Sequence, residues 1–140
     1  MAKPDDLNRF LDAQEAKYQV ALNELKNGKK VSHWMWYIFP QISGLGMSEI
    51  SRHYAIKDSD EARLYLEHPV LGDRLITISK LLLEIKGKTA YEIFGSPDDL
   101  KLRSCMTLFG SLIGAPPVFK QVIDQYFEGK PDEKTLGIIQ

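Results

Sequence analysis

Residues 96–113, with the sequence SPDDLKLRSCMTLFGSLI, decide the fold class of this chain. Ser96 has a side-chain oxygen that can cap a helix, Pro97 suits the first helical position, and Asp99 stands where a capping box places an acid. Apolar side chains then recur at helical spacing as far as Ile113. We therefore predict a helix from this start signal to about Ile113.

Similar signals for helix starts and ends recur along the rest of the chain. Caps and prolines before helices, and glycines after them, separate stretches with helical periodicity. No stretch shows two-residue alternation bounded by hairpin turns, so nothing predicts a sheet. We predict an all-α fold, a compact bundle of about six to eight helices forming a single domain over residues 1–140. The other predicted helices run from Asp5 or Asp6 to about Lys26, from Ser32, from Ser48 to Ile56, from Ser59, from Pro69 to Gly87, from Thr89 to Gly95, from Pro117 to Phe127 and from Asp132 to Ile139.

The composition of the chain limits its function class. Its 140 residues are 44% hydrophobic and 26% charged, which is typical of a globular protein with one core. The net charge is -1, so there is no overall field for nucleic acid or for an acidic membrane. The local basic cluster Lys26–Lys30 fits a helix end followed by a turn at Gly28. We therefore expect neither a nucleic-acid partner nor a membrane partner.

Export signals and cofactor motifs are not predicted either. The first residues do not resemble a signal peptide, and the longest apolar run, Trp34–Phe39, is too short to span a bilayer, so we expect a cytoplasmic protein. The single Cys105 should stay a thiol there and pack inward as a small hydrophobic side chain. His33, His53 and His68 lie too far apart for a metal-ligand pattern. We predict no metal site and no cofactor.

Residues 32–41, with the sequence SHWMWYIFPQ, indicate a functional site. They contain both tryptophans of the chain together with His33 and Gln41. Large aromatic rings are usually buried, but these polar neighbours carry hydrogen-bonding groups that a plain core does not need. The continuous apolar run fits either a short helix or a buried strand. His33 has two alternative roles, as a helix cap or as a site residue.

Five polar side chains fall on apolar helix faces. Gln14 and Tyr18 lie on the apolar stripe of the first helix, and Arg74 lies among the leucines and isoleucines of the long helix. Asp98 and Lys101 point inward and should form an ion pair. An unsatisfied buried polar group costs about 1 to 3 kcal/mol, so these side chains form an internal network, a ligand pocket or a partner surface. The opposite and wetter face of the helix after Ser96 is predicted to carry Arg103, Ser104, Thr107 and Ser111.

His68 has a structural interpretation. It directly precedes Pro69, at the point where the long helix is expected to start. We therefore predict that His68 helps to begin that helix.

Several motifs resemble those of a known family. The run at 32–41, with Gly44-Leu45-Gly46 and residues 54–56, 68–72, 94–101 and 106–109, is similar to the bacterial domain of unknown function 1810 family. The resemblance covers essentially the whole chain, with the motifs in the expected order. It implies a compact helical domain of bacterial type, with no established activity and no catalytic residues to carry over. The motif positions include Gln14, Tyr18, His33, Trp34, Trp36, Gln41, Asp98 and Lys101.

These observations predict a pocket for a small polar molecule, such as a nucleotide-like or phosphorylated one. A tryptophan would stack on the ligand, amide and phenol groups would form hydrogen bonds, and a basic side chain would offset negative charge. Whether the protein is an enzyme stays open; hydrolysis or group transfer without a metal would be the simplest chemistry, with His33 and Asp98 as acid–base candidates. The alternative is a noncatalytic interaction module that uses the aromatic segment as an exposed hot spot. The predicted ligand-binding residues are Gln14, Tyr18, His33, Trp34, Trp36, Gln41, Arg74 and Lys101.

Overall fold

The structure is a computed structural model that describes residues 4–139. These residues form a short 3-10 helix, Pro4–Leu7, followed by nine α-helices, and no strand is found among them. An isolated parallel bridge pairs Ile42 with Ile56. The prediction of an all-α fold is confirmed. The helices are α1 (Asn8–Lys26), α2 (Met35–Ile38), α3 (Glu49–Tyr54), α4 (Ser59–Glu67), α5 (Leu71–Glu84), α6 (Ala90–Phe94), α7 (Asp98–Gly110), α8 (Val118–Phe127) and α9 (Glu133–Ile139).

The hydrophobic core is built around α7. Its residues Leu102, Cys105, Met106 and Phe109 are fully buried, and α4, α6, α8 and α9 all pack against this helix. α5 closes another side of the core by packing against α1, α4 and α8. Cys105 points into the core as predicted, and burial raises the pKa of its thiol. The side chain therefore packs as a small hydrophobic group and does not resemble an activated nucleophile.

The start of α7 differs from its prediction. The helix begins at Asp98 and Pro97 occupies the N-cap position, so the predicted capping by Ser96 is wrong. Proline has no side-chain acceptor that could bind the free amides of the first turn. Asp99 Oδ1 accepts a hydrogen bond from the neighbouring N–H of Leu100 at 2.9 Å and does not close a capping box.

Two other start signals are confirmed. Thr89 Oγ1 accepts a hydrogen bond from the Glu92 N–H at 3.1 Å, and Glu92 Oε1 accepts one from the Thr89 N–H at 2.8 Å, which is a capping box. His68 Nδ1 accepts hydrogen bonds from the N–H groups of Val70 and Leu71 at 3.1 and 3.2 Å. His68 therefore helps to begin α5, as its place before a proline predicts, although the helix starts at Leu71 and not at Pro69.

The aromatic segment forms the short helix α2 and is not a strand. Trp34, directly before it, is fully buried, and its ring packs against the rings of Phe39 and Phe94. Beyond α2 the Ile56 N–H donates to the Gln41 carbonyl at 2.8 Å, and the Ser43 N–H donates to the Ile56 carbonyl at 2.7 Å. These bonds hold the loop after α2 against the end of α3. Together α2, the loop and α3 form one side of the candidate site.

Candidate functional site

A cleft opens between residues 41–51, α7 and the start of α9. Its volume is about 480 Å³, which is within the range of small-molecule sites. Residues 41–51 form its first wall, α7 its second, and residues 132–134 its third. The polar side chains of these walls belong to Gln41, Ser51, Lys101, Arg103, Ser104, Asp132, Glu133 and Lys134.

A smaller hollow of about 20 Å³ adjoins the cleft. Gln41, Gly46, Ser51 and Lys101 line both cavities. The remaining lining of the hollow is mostly aromatic and aliphatic and includes Trp36 of α2. A cavity of this size holds about one water molecule. The site therefore combines a wide outer cleft with a narrow inner hollow.

Lys101 stands where the cleft meets the hollow. Its Nζ lies 5.4 Å from the centre of the half-buried Trp36 ring, within cation–π distance, and 3.6 Å from Asp98 Oδ1. The ion pair predicted between Asp98 and Lys101 is thus present. Asp98 Oδ2 lies 2.9 Å from Lys30 Nζ, which in turn lies 5.1 Å from the centre of the Trp34 ring. Two lysines share one carboxylate, so this cluster keeps a net positive charge.

The third wall of the cleft is joined to α7 by polar contacts. Ser104 Oγ donates to Asp132 Oδ2 at 3.0 Å, and the Asp132 N–H donates to Thr107 Oγ1 at 2.8 Å. Ser104 and Thr107 are both buried. The prediction of a wetter face is therefore wrong at these two positions, because a segment distant in sequence packs over them.

Arg103 also lines the cleft, and its hydrogen bonds leave its charge uncancelled. Its Nε and Nη2 donate to the backbone carbonyl groups of Lys130 and Pro131 at 2.8 and 3.0 Å. Carbonyl groups satisfy the guanidinium donors without neutralising them. Among residues 4–139, neither Arg103 nor Lys134 forms an ion pair with a carboxylate. Three cationic side chains thus face the cleft, against the two carboxylates of the third wall.

Gln14, Tyr18 and Arg74 lie together, but they do not line the cleft or the hollow. Gln14 is 1% exposed, donates to the Tyr37 carbonyl at 2.7 Å and to the Tyr65 hydroxyl at 3.0 Å, and accepts a hydrogen bond from Arg74 Nη1 at 3.3 Å. The Tyr18 hydroxyl donates to the Arg74 carbonyl at 3.0 Å, and burial raises the pKa of Tyr18 to about 12. This arrangement is the internal network that the sequence left as one alternative.

Trp34 is also held inside the fold. Its Nε1–H donates to Glu24 Oε1 at 2.9 Å, and the same carboxylate accepts hydrogen bonds from the Val31 and Ser32 N–H groups and from the Ser32 hydroxyl. Burial alone would raise the pKa of Glu24, but these hydrogen bonds outweigh it and lower the pKa from 4.5 to about 2. Through this hydrogen bond to Glu24, Trp34 connects the turn before α2 with α1. Trp34 does not line the cleft.

The structure does not bring the acid–base candidates together. His33 is exposed and lies outside the lining of the cleft, and its carbonyl accepts a hydrogen bond from the Tyr37 hydroxyl at 3.4 Å. No side chain caps α2, so the alternative role of His33 as a helix cap is not observed. Both oxygens of Asp98 are engaged by lysines.

Three of the residues predicted to form a site meet at the cleft or the hollow: Trp36, Gln41 and Lys101. Sequence reasoning missed the other polar residues of the walls. The predicted helix starts at Ser48 and Asp132 place some of them on helices, but no spacing in the sequence connects the C-terminal segment with α7. The missed polar residues are Ser51, Arg103, Ser104, Asp132, Glu133 and Lys134.

Neither a metal-binding cluster nor a membrane-spanning helix is found in the part of the chain that the structure describes. Within residues 4–139, no group of three or more His, Cys, Asp or Glu side chains is arranged to hold a metal ion. None of the helices in this range combines the length and the apolar character that crossing a bilayer requires.

Comparison with known proteins identifies the family. The model of a family described as "Protein of unknown function (DUF1810)" matches residues 4–139. The chain belongs to the DUF1810 family. This match confirms the resemblance carried by the aromatic run and the glycines that follow it. No curated protein matches this DUF1810 chain.

A solved structure is similar to this DUF1810 protein along its whole length. It is the crystal structure of the conserved hypothetical protein Rv1873 from Mycobacterium tuberculosis at 1.38 Å. The two sequences are 42% identical, the alignment covers 98% of each chain, and the TM-score is 0.95. The two proteins therefore share their fold, and the name of the second protein states no activity.

Proposed function

We propose that this DUF1810 protein binds a small polar molecule with an anionic group in the cleft between residues 41–51, α7 and the start of α9. The observation that carries the proposal is the position of Lys101. Its side chain lines both the cleft and the hollow, and its ammonium group contacts both the Trp36 ring and the Asp98 carboxylate. A side chain that is already held in place loses less conformational entropy when a ligand binds.

The charges around the cleft support an anionic ligand. The Lys30–Asp98–Lys101 cluster keeps a net positive charge, and Arg103 and Lys134 add two cationic groups in the outer cleft. A phosphate or carboxylate group placed there would form charge-assisted hydrogen bonds. The two carboxylates of the third wall weaken this field, and they favour a ligand that also carries hydrogen-bond donors such as hydroxyl groups.

Trp36 suits a supporting role better than a stacking role. The Lys101 ammonium already lies over its ring at 5.4 Å. We infer that the ring positions the lysine and does not stack on a nucleobase. Small phosphorylated molecules without a large aromatic ring therefore fit the proposal best.

The burial of the aromatic segment supports ligand binding over the alternative of a protein interaction module. Trp34 is fully buried, and Trp36 is half-buried and faces a concave space. Interaction hot spots depend on large side chains that a partner can cover. The proposal concerns binding alone, because His33 lies outside the cleft and cannot act there with Asp98.

A thermal-shift screen followed by calorimetric titration tests this proposal. The probes are inorganic phosphate, a hexose phosphate and a nucleoside monophosphate, each measured with the wild type, Lys101→Met and Lys80→Met. Lys80 is exposed on α5 and lies outside the cleft, so Lys80→Met is the matched control.

We expect at least one phosphorylated probe to bind. Lys101→Met should weaken that binding about ten-fold, since hydrogen bonds to charged groups contribute about 1.5 to 3 kcal/mol. Lys80→Met should bind as the wild type does. Unchanged affinity in Lys101→Met, or no binding of any probe to the wild type, would contradict the proposal.

A further inference from the structure

Three polar side chains of the hollow also line the cleft, those of Gln41, Ser51 and Lys101. The residues that line the hollow alone are aromatic or aliphatic, and two of them, Trp36 and Tyr54, add an indole N–H and a phenol hydroxyl. Gln41, Ser51 and Lys101 are therefore the polar side chains that connect the two spaces. With a volume of about 20 Å³, the hollow has room for one group the size of a water molecule.

These three polar groups have hydrogen-bonding capacity left for a ligand. The half-buried Gln41 has no hydrogen-bond partner for its side-chain amide in the part of the chain that the structure describes. Ser51 Oγ accepts a hydrogen bond from Ser48 Oγ at 2.8 Å, which leaves its own proton for another acceptor. Lys101 has three N–H donors, and Asp98 is 3.6 Å from its nitrogen. The amide of Gln41, the hydroxyl of Ser51 and the ammonium of Lys101 therefore each keep a donor for a ligand oxygen.

We propose that the hollow is a specificity subsite for one hydroxyl or carbonyl oxygen of the ligand, while the anionic group stays beside Lys101 in the cleft. This inference rests on the proposed function and names its ligand class: small phosphates or acids with an oxygen substituent next to the anionic group. An alkyl group in the same place would leave the amide of Gln41 and the hydroxyl of Ser51 without a partner. A site built to hydrogen-bond a hydroxyl discriminates against the analogue that lacks it.

Gly46 makes the junction possible. A Cβ atom built on Gly46 would lie 2.6 Å from Ser51 Cβ and 2.8 Å from Ser51 Oγ, closer than such atoms approach each other in proteins. Because Ser51 Cβ is fixed to its backbone, a methyl group at position 46 must shift the backbone of residue 46 or of Ser51. Gly46→Ala changes the subsite from the loop side, while Lys101 remains on α7.

The test compares two phosphates that differ by one hydroxyl group, hydroxyethyl phosphate and ethyl phosphate. Calorimetric titration measures both with the wild type, Gln41→Leu, Gly46→Ala and the control Gln121→Leu, which changes an exposed glutamine on α8. We expect the wild type to bind hydroxyethyl phosphate about five-fold more tightly, as one net hydrogen bond allows. Gln41→Leu and Gly46→Ala should remove this preference, so that each variant binds the two phosphates equally. Gln121→Leu should keep the preference.

Each outcome decides a different point. Equal affinity for the two phosphates in the wild type, or tighter binding of ethyl phosphate, overturns the subsite and leaves the proposed function intact. A preference that persists in Gln41→Leu, which leaves the backbone of the loop unchanged, overturns it as well. If neither of these phosphates binds to the wild type while a probe of the first screen does, the subsite is overturned and the proposed function stands. If no probe of either experiment binds, the proposed function fails, and the subsite fails with it.

Discussion

The Nζ atom of Lys101 lies 5.4 Å from the centre of the Trp36 ring, which joins α7 to the aromatic helix α2 at the junction of the two cavities. The same ammonium group also lies 3.6 Å from Asp98 Oδ1. The lysine thus has a preferred position on the wall of an open cleft. This relationship makes Trp36 and Lys101 a pair whose contributions to binding should depend on each other.

Trp36→Leu should weaken the binding of a phosphorylated probe about three-fold, since a partly exposed cation–π contact contributes about 0.5 to 1 kcal/mol. Trp36→Phe should keep most of the affinity because a ring remains under the ammonium group. Titration calorimetry measures both. In the Lys101→Met background, Trp36→Leu should have no further effect, and an additive loss there would show that the ring contacts the ligand directly.

Gln14→Leu should lower the free energy of unfolding by about 2 kcal/mol, because the Tyr65 hydroxyl and the Arg74 guanidinium each lose a buried partner. Urea unfolding measures the change, and Tyr65→Phe should have a smaller effect in the Gln14→Leu background than in the wild type. The exposed Gln19→Leu on the same helix is the control. Ligand affinity should stay unchanged in folded Gln14→Leu, and a clear loss of affinity would place this network in the site after all.

Glu24→Gln should lower the free energy of unfolding at neutral pH by about 2 kcal/mol, because the carboxylate accepts several hydrogen bonds as an anion. The pKa of Glu24 is about 2 in the folded protein and 4.5 in an exposed chain. Ionised Glu24 therefore stabilises the fold above about pH 4.5, and this contribution is lost as the pH falls from 4.5 towards 2.

The difference in unfolding free energy between the wild type and Glu24→Gln should accordingly shrink over that pH range. Chemical unfolding at a series of pH values measures it. Glu15→Gln, at an exposed position on the same helix, should change the stability at neutral pH by less than about 0.5 kcal/mol. A difference that stays constant from pH 7 to pH 2 would contradict the assigned role of the carboxylate.

Asp132→Ala should loosen α9 much more than the rest of the fold. Asp132 Oδ2 accepts hydrogen bonds from Ser104 Oγ at 3.0 Å and from the Thr135 hydroxyl and N–H at 2.6 and 3.1 Å, and Thr135 is the buried residue of α9. Amide exchange in α9 should become about ten-fold faster or more, while exchange in α7 changes little. Asp124→Ala, at an exposed position on α8, is the control and should leave both rates unchanged. Equal acceleration in α7 and α9 would show that the two helices open as one unit.

Much of the fold could be predicted from local sequence. The helix start at Thr89 and the contribution of His68 to the start of α5 depend on neighbouring residues, so the local sequence predicts them. The failed prediction at Ser96 is of a different kind. Its spacing is that of a capping box, but the chain places Pro97 at the N-cap position. Local patterns indicate that a helix begins nearby more reliably than they identify its first residue.

The candidate site was only partly predictable. Helical periodicity indicates which polar side chains point inward, and on this basis Gln14, Arg74 and Lys101 were all predicted to be site residues. It cannot show that the first two bond to each other in a closed network, whereas Lys101 reaches an open cleft. Periodicity also predicted that Ser104 lies on a solvent-exposed face. A periodic pattern carries no information about the distant segment that covers this residue.

The sequence by itself determined the helical class and most helix starts, because these depend on side-chain chemistry within a few residues along the chain. Tertiary structure alone decided which polar residues share a cavity. The cleft is assembled from three segments far apart in the chain, residues 41–51, 97–104 and 132–134. Their meeting depends on how the helices pack around α7, and packing over such distances leaves no periodic signal in the sequence.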